Sequence, residues 1–580
     1  MNNKEILYLT ILFITCSVIL ILRHAGIVGP DSDTALFPLT ALHLMQGKPF
    51  PFFLYGQDYL GTLPILFILL LFKILGVSYI WVEIFYSLVI AGIITIFSAF
   101  LLREIKFFGV TIFVATFLLF PHGDMVPIIG LKSANYLLSI FLGLLSGYLF
   151  CWYVNRTIGQ NEYKPILDLF FPLFIFIVLS GLTYWSSKLG FLYLTAIFLT
   201  GLLGCRKILA RIFSEYYFRT KKLIPSLFKS FFIYFNVNFK LLTFVMLVFA
   251  SMYFMQLYSE KNFIQSEKFL PLKSLSDDTF QKEIQERLAS PEIEVASKIN
   301  INESELVEFF TLAKKGFQRI KRNIFHVCKL YLYLFSNIIQ PLNYLWASLP
   351  IFFAGYFYFS KRIEFFSFLK GDWTKIEFKW VILFIPILNV LASLPTRYLA
   401  NQDIAYIRYF ISMNLAVLAV IPLCFSLVQS TKIRNISLTL YLLFALCSYV
   451  YSDPKHYREL IDVPSKIKFI KSKYPDQSRL SPSERKLVKF LEDEQLYFGY
   501  ANYWDAYRLT FLTHERLVIS PRYGQRLRYK PYNQLVENSK HPFYLFSINY
   551  GADQNALKKL NRGINKSFRQ KKIGNMMVVY

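Results

Sequence analysis

The chain has 580 residues, of which 55% are hydrophobic and 18% aromatic, with a mean hydropathy of +0.41. This excludes an ordinary soluble protein, which would not carry so many apolar runs near the length of a bilayer crossing. The formal charge of +26 comes with no RNA-binding motif, and its placement follows membrane topology, so a nucleic-acid partner is excluded too.

In chain order, the apolar runs are Ile6–Leu22, Ile80–Leu102, Val110–Phe120, Tyr136–Val154, Ile166–Tyr184, Gly190–Gly204, Leu241–Leu257, Tyr344–Phe359, Trp380–Pro395, Tyr409–Val428 and Ile436–Val450. They predict a polytopic α-helical membrane protein of about 11 transmembrane helices. Val110–Phe120 is short and spans only by recruiting its flanks. The first run reads as a start-transfer anchor, because no small-residue cleavage site follows it. Leu63–Leu75 is also apolar but short, with Pro64 and Lys73 inside it. It is expected to lie at the outer interface or to re-enter the membrane.

Basic residues gather in alternate loops: Arg103 and Lys106; Arg206, Lys207, Arg211, Arg219, Lys221 and Lys222; Lys361 and Arg362; Lys432 and Arg434. The positive-inside rule then puts the N-terminus in the cytoplasm and the C-terminus outside. The six cysteines (Cys16, Cys151, Cys205, Cys328, Cys424 and Cys447) lie in or beside apolar segments without paired spacing. This argues for packing rather than a disulfide framework or a zinc site.

Three segments face outward on this reading: residues 23–80, 258–326 and 452–580. The first two belong to a membrane domain of residues 1–451. The third is expected to be a small α/β domain. Its helices are predicted at Ser481–Glu494, opened by Ser481 with Glu484 in the first turn, and at Gln554–Phe568. Its strands are predicted at Arg516–Ser520, Pro542–Ile548 and Met576–Tyr580.

Chemistry on water-soluble groups needs ionisable residues where the membrane meets water. The first outward loop opens with Gly29-Pro30-Asp31-Ser32-Asp33. Two such carboxylates could take a proton from a hydroxyl or hold a divalent metal. Equally, an Asp here could simply cap a helix over Thr34–Met45.

The stretch from Asp33 through His43 to Gly47, followed by Tyr55-Gly56-Gln57-Asp58-Tyr59-Leu60-Gly61, resembles the first loop of GT-C glycosyltransferases. The likeness is to the branch that holds protein O-mannosyltransferases and aminoarabinose transferases, and especially to its bacterial members. Gly181-Leu-Thr-Tyr-Trp185-Ser-Ser-Lys188-Leu-Gly190 is similar to that family's Gly-rich, Lys-bearing turn. Arg408-Tyr409 is similar to its late Arg-Tyr, and Gly499–Phe511 with Arg516–Pro521 to its outward C-terminal domain. The family's leading Asp falls on Asp33. Its acidic neighbour is replaced by Thr34, so either Asp31 takes that role or one carboxylate suffices.

The resemblance implies a sugar donor on polyprenyl phosphate and a hydroxyl acceptor on a glycolipid, polysaccharide or protein. Asp33, with Asp31, would be catalytic. Arg408, with Lys188 second, would hold the donor phosphate, since a guanidinium fork suits that oxyanion. The structural alternative for both cations is snorkelling at span ends. Tyr55, Gln57, Tyr59 and Asp124 would line the substrate pocket, and no cofactor beyond a divalent metal is implied. The implied location is the bacterial inner membrane with the site outward. A lipid-linked glycan flippase or transporter, and a glycan ligase or polymerase, are the competing readings. The first expects repeated halves, which are not detected here; the second concentrates basic residues in one long outward loop, whereas the best acidic site here lies in the first loop.

Overall fold

The computed structural model describes residues 2–24, 30–119, 134–158, 166–187, 190–200, 430–452, 463–470, 475–522, 525–563 and 568–580, with Val381, Phe384, Ile385 and Leu388. The expected spans Leu241–Leu257, Tyr344–Phe359 and Tyr409–Val428, most of Trp380–Pro395, and the expected outward segment 258–326 lie outside the described residues. Two described helices are long and apolar enough to cross a membrane, Asn3–His24 and Tyr79–Leu102; Leu63–Leu75, Tyr136–Trp152 and Gly190–Thr200 are shorter and apolar.

Helix α1 (Asn3–His24) is followed by α2 (Ser32–Met45), the short hairpin β1 (Phe53–Leu54) and β2 (Gln57–Gly61), and α3 (Leu63–Leu75). Helix α1 leaves Ile6, Leu7, Ile11, Ile14 and Val18 exposed, and α3 leaves Leu66, Phe67, Leu70, Ile74 and Leu75 exposed. Such apolar faces are costly in water and suit a lipid surround.

The next helix, α4 (Tyr79–Leu119), is continuous in its backbone over 41 residues, but it is not straight. The rings of Phe97 and Phe113 lie 6.3 Å apart, where a straight helix would separate the two positions by about 24 Å. His24 Nδ1 meets Ser87 Oγ at 2.9 Å, while the adjacent Arg23 donates to the Leu118 carbonyl. The chain therefore turns back between Phe97 and Phe113, the stretch that holds Arg103 and Lys106. The sequence expects a loop there; the assigned helix runs through it, yet the chain reverses in that stretch, so the two runs remain two legs packed side by side. The turn lies at the N-terminal end of α1, where the Tyr8 hydroxyl meets Thr111 Oγ1 at 2.9 Å.

Helices α5 (Ala134–Ile158), α6 (Ile166–Ser186) and α7 (Gly190–Thr200) pack through small residues. Ser146 meets Ser180 at 2.8 Å, and a Cβ on Gly143 would sit 2.5 Å from the Tyr193 ring. Small side chains allow such close approach in a bilayer. After α6, Ser187 forms a β-bridge with Leu60, and Trp185 Nε1 donates to the Phe52 carbonyl at 2.9 Å. The Gly-rich turn thus abuts the first loop. A Cβ on Gly61 would fall 1.8 Å from the Trp185 carbonyl. Gly61→Ala should therefore push the two apart, at a cost of at least about 1–3 kcal/mol. A thermal-shift measurement in detergent checks this, and an unchanged midpoint would show that the loop can yield.

Helix α8 (Thr431–Ser452) packs on α4 and leads to the C-terminal region: α9 (Val463–Ile470), α10 (Pro475–Ser478), α11 (Pro482–Asp493), β3 (Phe498–Ala501), α12 (Tyr503–Leu512), β4 (Val518–Pro521), α13 (Lys530–Glu537), β5 (Phe543–Ser547), α14 (Gly551–Gly563), β6 (Gln570–Ile573) and β7 (Met576–Val579). The five strands run in the order β4-β3-β5-β7-β6. Strand β3 is parallel to both β4 and β5, and β7 is antiparallel to its neighbours.

Helix α11 begins with the capping box that its sequence forecasts: Ser481 Oγ accepts from Glu484 N at 3.2 Å, and Glu484 returns the bond at 2.8 Å. From β3 the chain moves to β4 on one side and returns to β5 on the other. This makes the carboxyl edge of β3 a switch point, where such folds place functional side chains.

Candidate functional site

Two junctions join the α/β domain to the first loop. The first centres on α2. Asp31 is its N-cap: Oδ1 accepts from Thr34 N at 2.9 Å and from Thr34 Oγ1 at 2.8 Å, while Asp31 N donates to Thr34 Oγ1 at 2.9 Å. The departure at Thr34 thus closes a capping box with Asp31. Asp33, in the first turn of the helix, accepts at Oδ1 from the Tyr503 hydroxyl at 2.5 Å. Burial, and then the Asp33 carboxylate beside it, raise the Tyr503 phenol well above its ordinary value, so it stays a donor. Tyr503 in turn accepts from Arg528 Nε at 3.2 Å, and Arg528 Nη1 donates to the Gly56 carbonyl. Gly56 has φ +62°, the left-handed conformation its tight turn needs.

The second junction lies at the far end of α2, about 15 Å along the helix from Asp33. His43 is fully buried. Its Nε2 lies 3.0 Å from Glu515 Oε1 and 2.9 Å from the Tyr532 hydroxyl, and its Nδ1 lies 3.0 Å from the Tyr55 hydroxyl. Tyr532 spends its proton on Glu515 Oε1 at 2.7 Å. A neutral imidazole with Nε2–H satisfies the remaining contacts, donating to Glu515 and accepting from Tyr55. The Tyr529 ring lies 4.4 Å from that of His43 and 4.5 Å from that of Tyr55.

Burial lowers the His43 pKa, against the opposing pull of Glu515. Burial alone would raise the Glu515 carboxyl, but hydrogen bonds from His43, Tyr532 and Gln46 outweigh it and hold the group down at about 2.

Acid should loosen this junction. An unfolded histidine takes a proton near its ordinary value of about 6.5. The folded one resists, so stability declines as pH falls below that value. Unfolded glutamate protonates near about 4.3, so the Glu515 contribution is whole above that and fades as pH falls toward about 2. The thermal midpoint should drop between about pH 7 and about pH 5, and His43→Gln, which cannot titrate, should flatten the slope. A wild-type midpoint that is level over that window would mean that folding leaves the His43 pKa unshifted.

A third contact ties the domain to α4. Arg479 grips Glu83 with two bonds of 2.9 and 2.5 Å, both side chains at most 2% exposed. Asp476 Oδ1 accepts from Tyr79 N at 2.9 Å and Ser78 Oγ at 3.1 Å. Glu83, on α4, is buried where Arg479 reaches in from the C-terminal region to meet it.

Of the sequence-predicted pocket residues, Tyr55 binds His43, and Gln57 is buried in β2 with its Nε2 unpaired. Tyr59 contributes backbone to β2, and its side chain is outside the described residues. Lys188, Asp124 and Arg408 are also outside the described residues. Among the described residues no group of three His, Cys, Asp or Glu gathers at metal-binding distance. Sequence reasoning missed Arg528, Glu515 and Arg479. Of the aromatics in Gly499–Phe511, Tyr503 donates its hydroxyl proton to Asp33.

No protein-family model matches the chain, and no curated protein matches it. Two solved structures align along its whole length. One is ArnT from Cupriavidus metallidurans in the apo state, at 10% identity and TM-score 0.40; the other is the same protein bound to undecaprenyl phosphate, at 11% identity and TM-score 0.36. Each alignment covers 99% of this chain and 97% of the other.

Proposed function

We propose that this chain is a GT-C glycosyltransferase of the inner membrane, with about 11 spans, that moves a sugar from a polyprenyl-phosphate donor to a hydroxyl acceptor at the outer face. The observation that carries this reading is Asp33, a carboxylate in the first turn beyond the first span, held by a hydroxyl from the α/β domain. The ordered sequence motifs supply the donor class.

In this reading the acceptor oxygen attacks the anomeric carbon, and the bond from that carbon to the phosphate oxygen breaks. The acceptor proton passes to Asp33, and polyprenyl phosphate departs with the bonding electrons. Arg408 and Lys188 neutralise the departing phosphate. Asp31 builds the helix start that holds Asp33, while Tyr55, Gln57, Tyr59 and Asp124 shape the pocket.

The test reconstitutes purified protein in liposomes with a labelled polyprenyl-phosphate sugar and a lipid hydroxyl acceptor. Label should reach the acceptor with wild type and not with Asp33→Asn. Equal transfer by both proteins would remove the acid–base role.

A further inference from the structure

We infer that the α/β domain completes the transfer site, with Tyr503 and Arg528 as positioning residues that fix the Asp33 carboxylate. This rests on the reading of Asp33 as the proton acceptor. Hydrogen bonding gives the chain of contacts one direction. A guanidinium can only donate, so Arg528 Nε gives its proton to the Tyr503 oxygen at 3.2 Å. The single phenolic proton is then left for Asp33 Oδ1 at 2.5 Å. Held this way, the carboxylate cannot rotate freely about its Cβ–Cγ bond.

The second Arg528 bond, to the Gly56 carbonyl, ties the same guanidinium to the hairpin turn of the first loop. One cation thus sets the spacing between that turn and Asp33.

The fold explains why these two residues can meet there. Tyr503 opens α12 directly after β3, with Asn502 as its cap (Oδ1 accepting from Asp505 N at 3.1 Å). Arg528 sits in the loop after β4, whose backbone is pinned because Arg528 N and Tyr529 N both donate to the Tyr507 hydroxyl, at 2.6 and 3.0 Å. Both loops leave the carboxyl edge of the parallel strands at the switch point. That edge faces α2 across the junction, and the buried Tyr507 gives the Arg528 loop a rigid seat.

A contact that merely docks the domain would make the same bonds, so the experiment must separate the two roles. Tyr503→Phe keeps the ring and its packing and removes only the hydroxyl. Hydrogen bonds to charged groups are strong enough that kcat should fall about ten- to a hundredfold, with donor and acceptor KM within about twofold and the thermal midpoint unchanged. Arg528→Gln tests the same chain without touching aromatic packing. It should lower kcat in wild type but add little in the Tyr503→Phe background, because the two act through one bond to Asp33.

Wild-type kcat in both variants would overturn the inference, while a dead Asp33→Asn measured beside them would leave the sugar-transfer reading standing. Losses that track a lowered midpoint, or that add independently in the double variant, would also overturn it by showing a docking role only. An active Asp33→Asn would instead sink the underlying reading.

Discussion

Asp33→Asn should lower sugar transfer by about 10²–10⁴-fold, the range that a positioned general base contributes, while the protein stays folded and inserted. The reason lies in what the substitution keeps. An asparagine carbonyl oxygen can still accept the Tyr503 proton now given to Asp33 Oδ1, so the junction with the α/β domain holds. On the proposed role of Asp33, only the capacity to take up the acceptor's proton is lost. Asp31→Asn makes the contrast. Asn and Asp are equally good N-caps, so the bonds to Thr34 survive and most of the rate should remain. Turnover of both variants in the same liposome assay checks the pair. Equal damage from the two would mean that the carboxylates act together.

Arg479→Ala should destabilise the protein by about 3–5 kcal/mol, because it leaves the buried Glu83 carboxyl without its partner. The Arg479 guanidinium also lies 5.0 Å from the Tyr79 ring and 4.9 Å from that of Phe469, so packing is lost with the charge. Replacing both partners, as Glu83→Leu with Arg479→Met, should recover most of that loss, since the desolvation cost disappears with the pair. A double-mutant cycle on thermal or denaturant midpoints measures it. Additive losses in the double variant would mean that the two residues do not act as a pair.

What could be read from sequence was local. The start of α2, the capping box of α11 and the bounds of β5 and β7 follow from residues three to eight apart, where capping and alternation leave a signal. Strand β3 was missed because it is four residues long and contains Gly499, which reads as a breaker. It is there because a Cβ would come 2.4 Å from the Phe543 ring on the adjacent strand. The continuity of α4 through Arg103–Lys106 was hidden by the charges, which look like a loop. The junctions were illegible for a different reason. Asp33 with Tyr503, His43 with Glu515 and Glu83 with Arg479 lie 470, 472 and 396 positions apart. No periodicity or spacing rule couples residues at such range, so the site could be half seen: the carboxylate, but not the groups that hold it.

The start of α4 depends on Asp476, which accepts from Tyr79 N 397 positions earlier. At ordinary translation speeds of 5–20 residues per second, about 20–80 s pass between synthesis of the helix and arrival of its cap. Through that interval α1 and α4 can enter the bilayer while the first turn of α4 lacks this partner. A chain halted before Asp476 therefore carries the start of α4 without the carboxylate that its first amide meets in the folded protein.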